Sequence, residues 1–240
     1  MTRYKAFALH LLSSIFVLSL IFLLIQQLWY PGKLFTLAAG FDLLRLIACV
    51  DLVIGPFILL LIFDAKKKYI KMDVFIILLC QLGFMAYGCW IMFSARPAYF
   101  AFVDNHFYLV RANEIDEDSL KLVKDPQFKQ SPLSGPIAAG TKEPDDINIR
   151  NDIALSALGG MGIQNLPQYF VPYSQMQQQV VLAGKTSQEL KVDQDTKKRV
   201  IAYEEKNQHT QPVLFLSMVN KPTPLVVVID AKTAQIIEII

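Results

Sequence analysis

Asp51 is the residue whose type and position most demand a chemical account: it is a carboxylate set inside the apolar run Leu43 to Phe63. A charged side chain at mid-depth in hydrocarbon costs about 2.5–3.5 kcal/mol on insertion scales, so it turns toward a bundle interior and takes a partner there. Helix rise sets it level with Ala86 or Tyr87 of the next apolar run, and the Tyr87 hydroxyl is the expected donor. Two roles stay open. Asp51 either pins the packing of neighbouring helices through a hydrogen bond, or receives a polar or charged group from a client helix. Arg45, in the same run, either pairs with Asp42 three residues earlier or snorkels to the near interface.

Elsewhere the chemistry is sparse. His106 and His209 are the histidines of the second half, and neither has metal-ligand or triad spacing, so each reads as a surface or strand-edge residue. Gly159, Gly160 and Gly162 form a cluster with no strand before it, which reads as a helix-ending turn rather than a phosphate loop. No zincin, nucleophile-elbow, paired-cysteine, Walker or dinucleotide motif is present. The expectation is a protein that is not an enzyme, with no catalytic residues, cofactor, metal or small-molecule substrate.

The elements that must position Asp51 are three long apolar runs. Ala6 to Ile25 carries His10 as its one titratable side chain, Leu43 to Phe63 carries Arg45, Asp51 and Gly55-Pro56, and Val74 to Phe93 has no charge. About 20 residues at ~1.5 Å rise cross a ~30 Å hydrocarbon layer, so each run reads as a span. The second is expected to kink at Pro56, which removes a backbone donor. The first is expected to stay in place rather than be cleaved, because no small-residue cleavage pattern precedes Trp29-Tyr30-Pro31-Gly32.

Charge sets the orientation. Residues 1 to 96 hold nine Lys and Arg against four Asp, whereas residues 97 to 240 hold fourteen against seventeen acidic side chains. Lys66, Lys67, Lys68 and Lys71 crowd the link between the second and third spans, and Arg3 and Lys5 precede the first. By the positive-inside rule those ends are cytoplasmic, and the third span delivers the remaining chain to the outside, in a bacterium the periplasm. The net acidic outer part argues against nucleic acid. Cys49, Cys80 and Cys89 all lie in apolar runs, so there is no disulfide framework to read.

Beyond the spans the sequence predicts a strand at Phe107 to Val110, then a Pro- and Gly-rich surface loop from Asp125 to Asp146. Helices are expected at Asp152 to Leu158, Tyr173 to Leu182 and Ser187 to Ala202. Strands follow at Val213 to Val219, Leu225 to Asp230 and Gln235 to Ile240, joined by turns at Asn220-Lys221-Pro222 and Asp230 to Thr233. The last of them, rich in isoleucine, is expected to be central in the sheet or covered. The fold class is therefore a membrane α-helical unit of three transmembrane helices, residues 1–95, followed by an α+β periplasmic domain with an antiparallel sheet, residues 96–240.

The order and spacing of several pieces resemble the type IV pilin accessory proteins of the TfpX/TfpZ/FimB type. The pieces are Asp51 with Gly55 and Pro56, the basic loop ending in Asp73, Gln81 with Tyr87 and Gly88, and Arg96-Pro97 leading to Asp104. They cover roughly residues 42 to 108, with a weaker likeness in the final hairpin. The resemblance implies a dedicated inner-membrane chaperone whose partners are the lipid bilayer and a major type IV pilin. On this reading the bundle shelters the pilin's transmembrane helix, and the outer domain cradles its globular head by adding a strand at a sheet edge. Asp51, Gly55, Pro56, Gln81, Tyr87, Arg96, Pro97 and Asp104 are then the candidate client-binding or bundle-organising residues.

Two other classes remain: a membrane-anchored sensor or scaffold binding an envelope ligand through the outer domain, and a small transporter using Asp51. Three spans are few for a transporter. The cytoplasmic parts, a short N-terminus and the Asp64 to Asp73 loop, offer a sensor no output domain.

Overall fold

The structure, a computed structural model, describes residues 2–38, 40–207, 212–219 and 225–240. His209 and the turn predicted at Asn220-Lys221-Pro222 lie outside the described residues. The chain divides into two compact units, Met1–Arg96 and Pro97–Ile240.

In the first unit, α1 (Arg3–Leu28) starts where the Thr2 hydroxyl accepts from the Lys5 N–H. After a turn through Gly32, at φ 62°, comes the short α2 (Leu34–Leu37). The middle run is α3 (Gly40–Ala48), a π-helical segment Cys49–Ile54, and α4 (Gly55–Ile62). The last is α5 (Ile70–Ser94). Three runs, Arg3–Leu28, Gly40–Ile62 and Ile70–Ser94, are long and apolar enough to cross a membrane. The first and third extend past both predicted limits, whereas the second starts three residues early and ends one short, at Ile62. The third begins a turn early, because Ile70 to Asp73 are wound into the helix and Lys67 pairs with Asp73 across the loop.

Both outer helices pack chiefly on the middle run rather than on each other. They meet at one end, where Trp29 lies 5.1 Å from Phe93 and the fully buried Tyr30 donates its hydroxyl to the Met92 carbonyl at 3.1 Å.

The second unit opens with β1 (Pro97–Val103), buried throughout, and β2 (His106–Arg111), joined by Asp104-Asn105 with φ of 44° and 66°. Positive φ at both central residues gives the turn the twist a two-residue hairpin needs, and Asp and Asn tolerate it. Next come α6 (Glu117–Leu122), β3 (Ile137–Thr141), α7 (Ile147–Leu158) and β4 (Phe170–Pro172). The chain then runs through α8 (Gln177–Ala183), α9 (Gln194–Asn207), β5 (Val213–Val219), β6 (Leu225–Asp230) and β7 (Ile236–Ile239).

The predicted antiparallel sheet is in fact mixed. Its seven described strands run β4-β3-β1-β2-β5-β6-β7, with β1 parallel to β3 and β2 parallel to β5. The sequence hid β1 in the span-exit segment and β3 in the Pro- and Gly-rich stretch. Ile137-Ala138-Ala139-Gly140-Thr141 has little of the β-branched signature, and its register comes from β1 beside it. Nor is the final strand central. The uninterrupted apolar run Leu225 to Ile229 takes the fully buried slot as β6, and β7, carrying Glu238, ends the strand order. Ile239 and Ile240 are nonetheless buried.

Helix starts follow their caps. Asp146 accepts from the Asn148 N–H and opens α7 earlier than predicted, and Asp193 accepts from Thr196 and opens α9 later. Thr196 hydrogen bonding also holds the Asp193 carboxyl below its ordinary range.

Candidate functional site

Asp51 sits where the middle run leaves α-helical winding. In a π segment the N–H of each residue serves the carbonyl five positions back, as Gly55 does for Val50. Residue 56 would serve Asp51 in the same way, but it is proline and has no N–H to give. The freed Asp51 carbonyl is taken instead by Gln81 of α5, whose Nε2 donates to it at 3.3 Å. Gly55 permits this, because a Cβ there would fall inside the Gln81 amide.

The three long apolar runs thus meet around one polar cluster. His10 of α1, Asp51 and Gln81 are 8, 4 and 9% exposed, each more than nine-tenths buried. The Gln81 amide faces both the His10 ring and the Asp51 carboxylate. Even so, His10 Nε2, Asp51 Oδ2 and Gln81 Oε1 have no hydrogen-bond partner. They open onto a cavity of about 110 Å³ between α1 and α5, which Ser13 and Ser14 also line. Buried polar atoms of this kind are costly to leave unmade, more so in hydrocarbon. The cluster therefore leaves hydrogen-bonding capacity open to the cavity.

The expected Tyr87 donor is not the partner of Asp51. Tyr87 is exposed and stacks on Trp90 with ring centroids 6.0 Å apart. A third span counted from Val74 puts Ala86 and Tyr87 level with Asp51. With α5 beginning at Ile70, Gln81 lies as far from Ile70 as Asp51 lies from Ile62, the two ends that the connecting loop joins. His10, Ser13 and Ser14 were missed as site residues. The available signal was a lone imidazole in an otherwise uncharged span, with hydroxyls three and four positions on.

Of the remaining candidates, Pro56 is buried beside Gly55, and Arg96 closes α5. Its Nη1 donates to the Phe93 carbonyl at 2.7 Å and its guanidinium lies 3.9 Å from the Phe93 ring. Pro97 begins β1, and Asp104 occupies the first turn position of the β1–β2 hairpin. Beside that turn a hollow of 290 Å³ is lined by Asp104, Glu143 and Arg150, the last two 3.8 Å apart. His106 is exposed with Nδ1 2.8 Å from the Asp104 carbonyl, and Arg45 pairs with Asp42 at 3.2 Å. Gly159 caps α7 and Gly160, at φ 95°, turns the chain away, as the sequence predicts.

Among the described residues no three His, Cys, Asp or Glu side chains gather into a metal set. Set against family models, curated proteins and solved structures, the chain matches none.

Proposed function

We propose that this chain is a non-enzymatic accessory protein of type IV pilus assembly, a chaperone that holds the major pilin in the bacterial inner membrane before it is polymerised. The observation that carries the reading is the unpaired polar cluster of His10, Asp51 and Gln81 lining a cavity between two apolar helices that pack chiefly on a third. A groove of this form suits a client whose hydrophobic helix waits in the membrane. The basic loop after the second span sets the N-terminus in the cytoplasm and residues 96–240 in the periplasm. There the second unit engages the pilin head, with the edge strand β7 as the element for strand addition.

The test is the steady-state amount of the cognate major pilin with and without this gene, pilin transcription being held constant. A loss of pilin that returns when the gene is supplied is the expected result. Unchanged pilin with normal piliation would overturn the proposal.

A further inference from the structure

The three unpaired atoms of the cluster share a chemical character. Gln81 Nε2 gives one N–H to the Asp51 carbonyl and its Oε1 is an unpaired acceptor. Asp51 Oδ2 is a carboxylate oxygen, and His10 Nε2 accepts in the tautomer whose proton sits on Nδ1. Ser13 has turned its hydroxyl to the His10 carbonyl at 2.8 Å and so presents only lone pairs. Two unpaired acceptors, one of them a carboxylate oxygen, and the His10 ring nitrogen thus line one cavity beside Ser13 and Ser14, with no cation of the described chain in its lining.

Its rim determines how a ligand arrives. Val17, Leu78 and Leu82 flank the opening and are 38, 43 and 57% exposed, so the cavity is entered sideways across apolar side chains. A freely hydrated ion would lose its water shell crossing such a rim, whereas a group carried on an apolar helix arrives already within the hydrocarbon. A helix lying along the groove between α1 and α5 passes the cluster part-way along its own length, so the group it offers is a side chain rather than a chain end.

We infer that the His10–Asp51–Gln81 cluster is a receptor for a side-chain ammonium group carried within the membrane by a partner's transmembrane helix. This rests on the reading of the groove as a client site and adds the chemistry by which a client is recognised. The ammonium's three N–H donors meet Asp51 Oδ2, Gln81 Oε1 and His10 Nε2, and its charge is neutralised by the carboxylate.

The test uses the full chain, donor-labelled and reconstituted in phosphatidylcholine vesicles, with acceptor-labelled transmembrane probes of leucine and alanine. The probes carry lysine, norleucine or glutamate at their central position, and association is read by energy transfer. The lysine probe should associate about tenfold more tightly than the norleucine probe, the margin expected of one or two good interhelical hydrogen bonds. Asp51→Asn, which keeps the side chain's shape, should erase that margin. Equal association of the lysine and norleucine probes with the native chain, tighter binding of the glutamate probe, or a margin that survives Asp51→Asn would each overturn the inference. The probe series on the native chain stands whether or not the variant folds. A lysine preference in a protein whose loss leaves pilin unchanged would remove the pilus assignment and keep the receptor. Pilin loss with no lysine preference would do the reverse.

Discussion

Gln81 reaches across from α5 to donate to the backbone carbonyl of Asp51, the acceptor that Pro56 leaves unserved in the π segment. One contact therefore links the proline, the irregular winding, the glycine that makes room and the carboxylate. Its cost is visible too, since Gln81 Oε1 and Asp51 Oδ2 are buried without a hydrogen-bond partner.

Gly55→Ala should drive the Gln81 amide off Asp51, because the new methyl would occupy its place. The expected cost is about 1–3 kcal/mol, read by detergent-titrated unfolding of the intact protein. In a Gln81→Ala background the same substitution should cost far less. A full cost in both backgrounds would mean that the glycine serves the backbone of its own span and not this contact.

Gly88→Ala tests the second close approach between the same spans. Its Cβ would meet the Ile47 side chain, whose branched Cβ leaves it few rotamers for retreat. A loss of about 1–3 kcal/mol is expected, with recovery in Ile47→Ala. No recovery would show that the two side chains are not what limits the helix separation.

Phe128→Ala should be among the more damaging changes in the second unit, costing about 3–5 kcal/mol by chemical unfolding. Phe128 is fully buried, 6.1 Å from Tyr99 and 5.6 Å from Phe170 by ring centroids. A loss of less than about 1 kcal/mol would place Phe128 at a surface after all.

Phe128 also marks where the sequence stopped being legible. The three long helices could be read because runs of about twenty mostly apolar residues are long enough to cross a bilayer as helices. Asp51 could be read because a carboxylate there is expensive. The stretch Asp125 to Asp146 reads as a surface loop from its prolines and glycines, yet it holds a core aromatic and the parallel strand β3. Both depend on Tyr99 and its neighbours in β1, a nonlocal condition that local composition does not encode. The partner of Asp51 was misjudged for a similar reason. A helix start is set by capping and loop pairing such as Lys67 with Asp73, and four residues of error at the start of α5 with one at the end of α4 move the level from Gln81 to Ala86, next to Tyr87.

Tyr173→Phe should make the second unit less sensitive to alkaline pH. The Tyr173 hydroxyl donates to the Ala234 carbonyl at 2.7 Å, just ahead of β7, and burial pushes its phenol well above the ordinary value. A raised folded value means stability that is whole below the unfolded phenol's pKa of about 10 and is lost as pH rises through the folded one. Unfolding midpoints of the parent should therefore fall more steeply than the variant's above about pH 10, while near neutrality the variant should be weaker by about 1 kcal/mol. Parallel curves would remove the coupling between this phenol and the strand end.

Asp51→Ala separates the two roles that the carboxylate leaves open. If Asp51 mainly organises the bundle, removing it strips the Gln81 amide of its acidic neighbour, and this protein should itself disappear from the membrane. The backbone geometry argues otherwise. The Gln81 bond goes to the carbonyl of residue 51, which alanine retains, while the side chain's Oδ2 is unpaired in the chain alone. The helix contact should therefore survive. Membrane levels of the variant are expected to match the parent's on immunoblots while pilin and surface piliation fall. The client's ammonium would then have lost its counter-charge, an effect that Asp51→Glu should partly restore and Asp51→Asn should not.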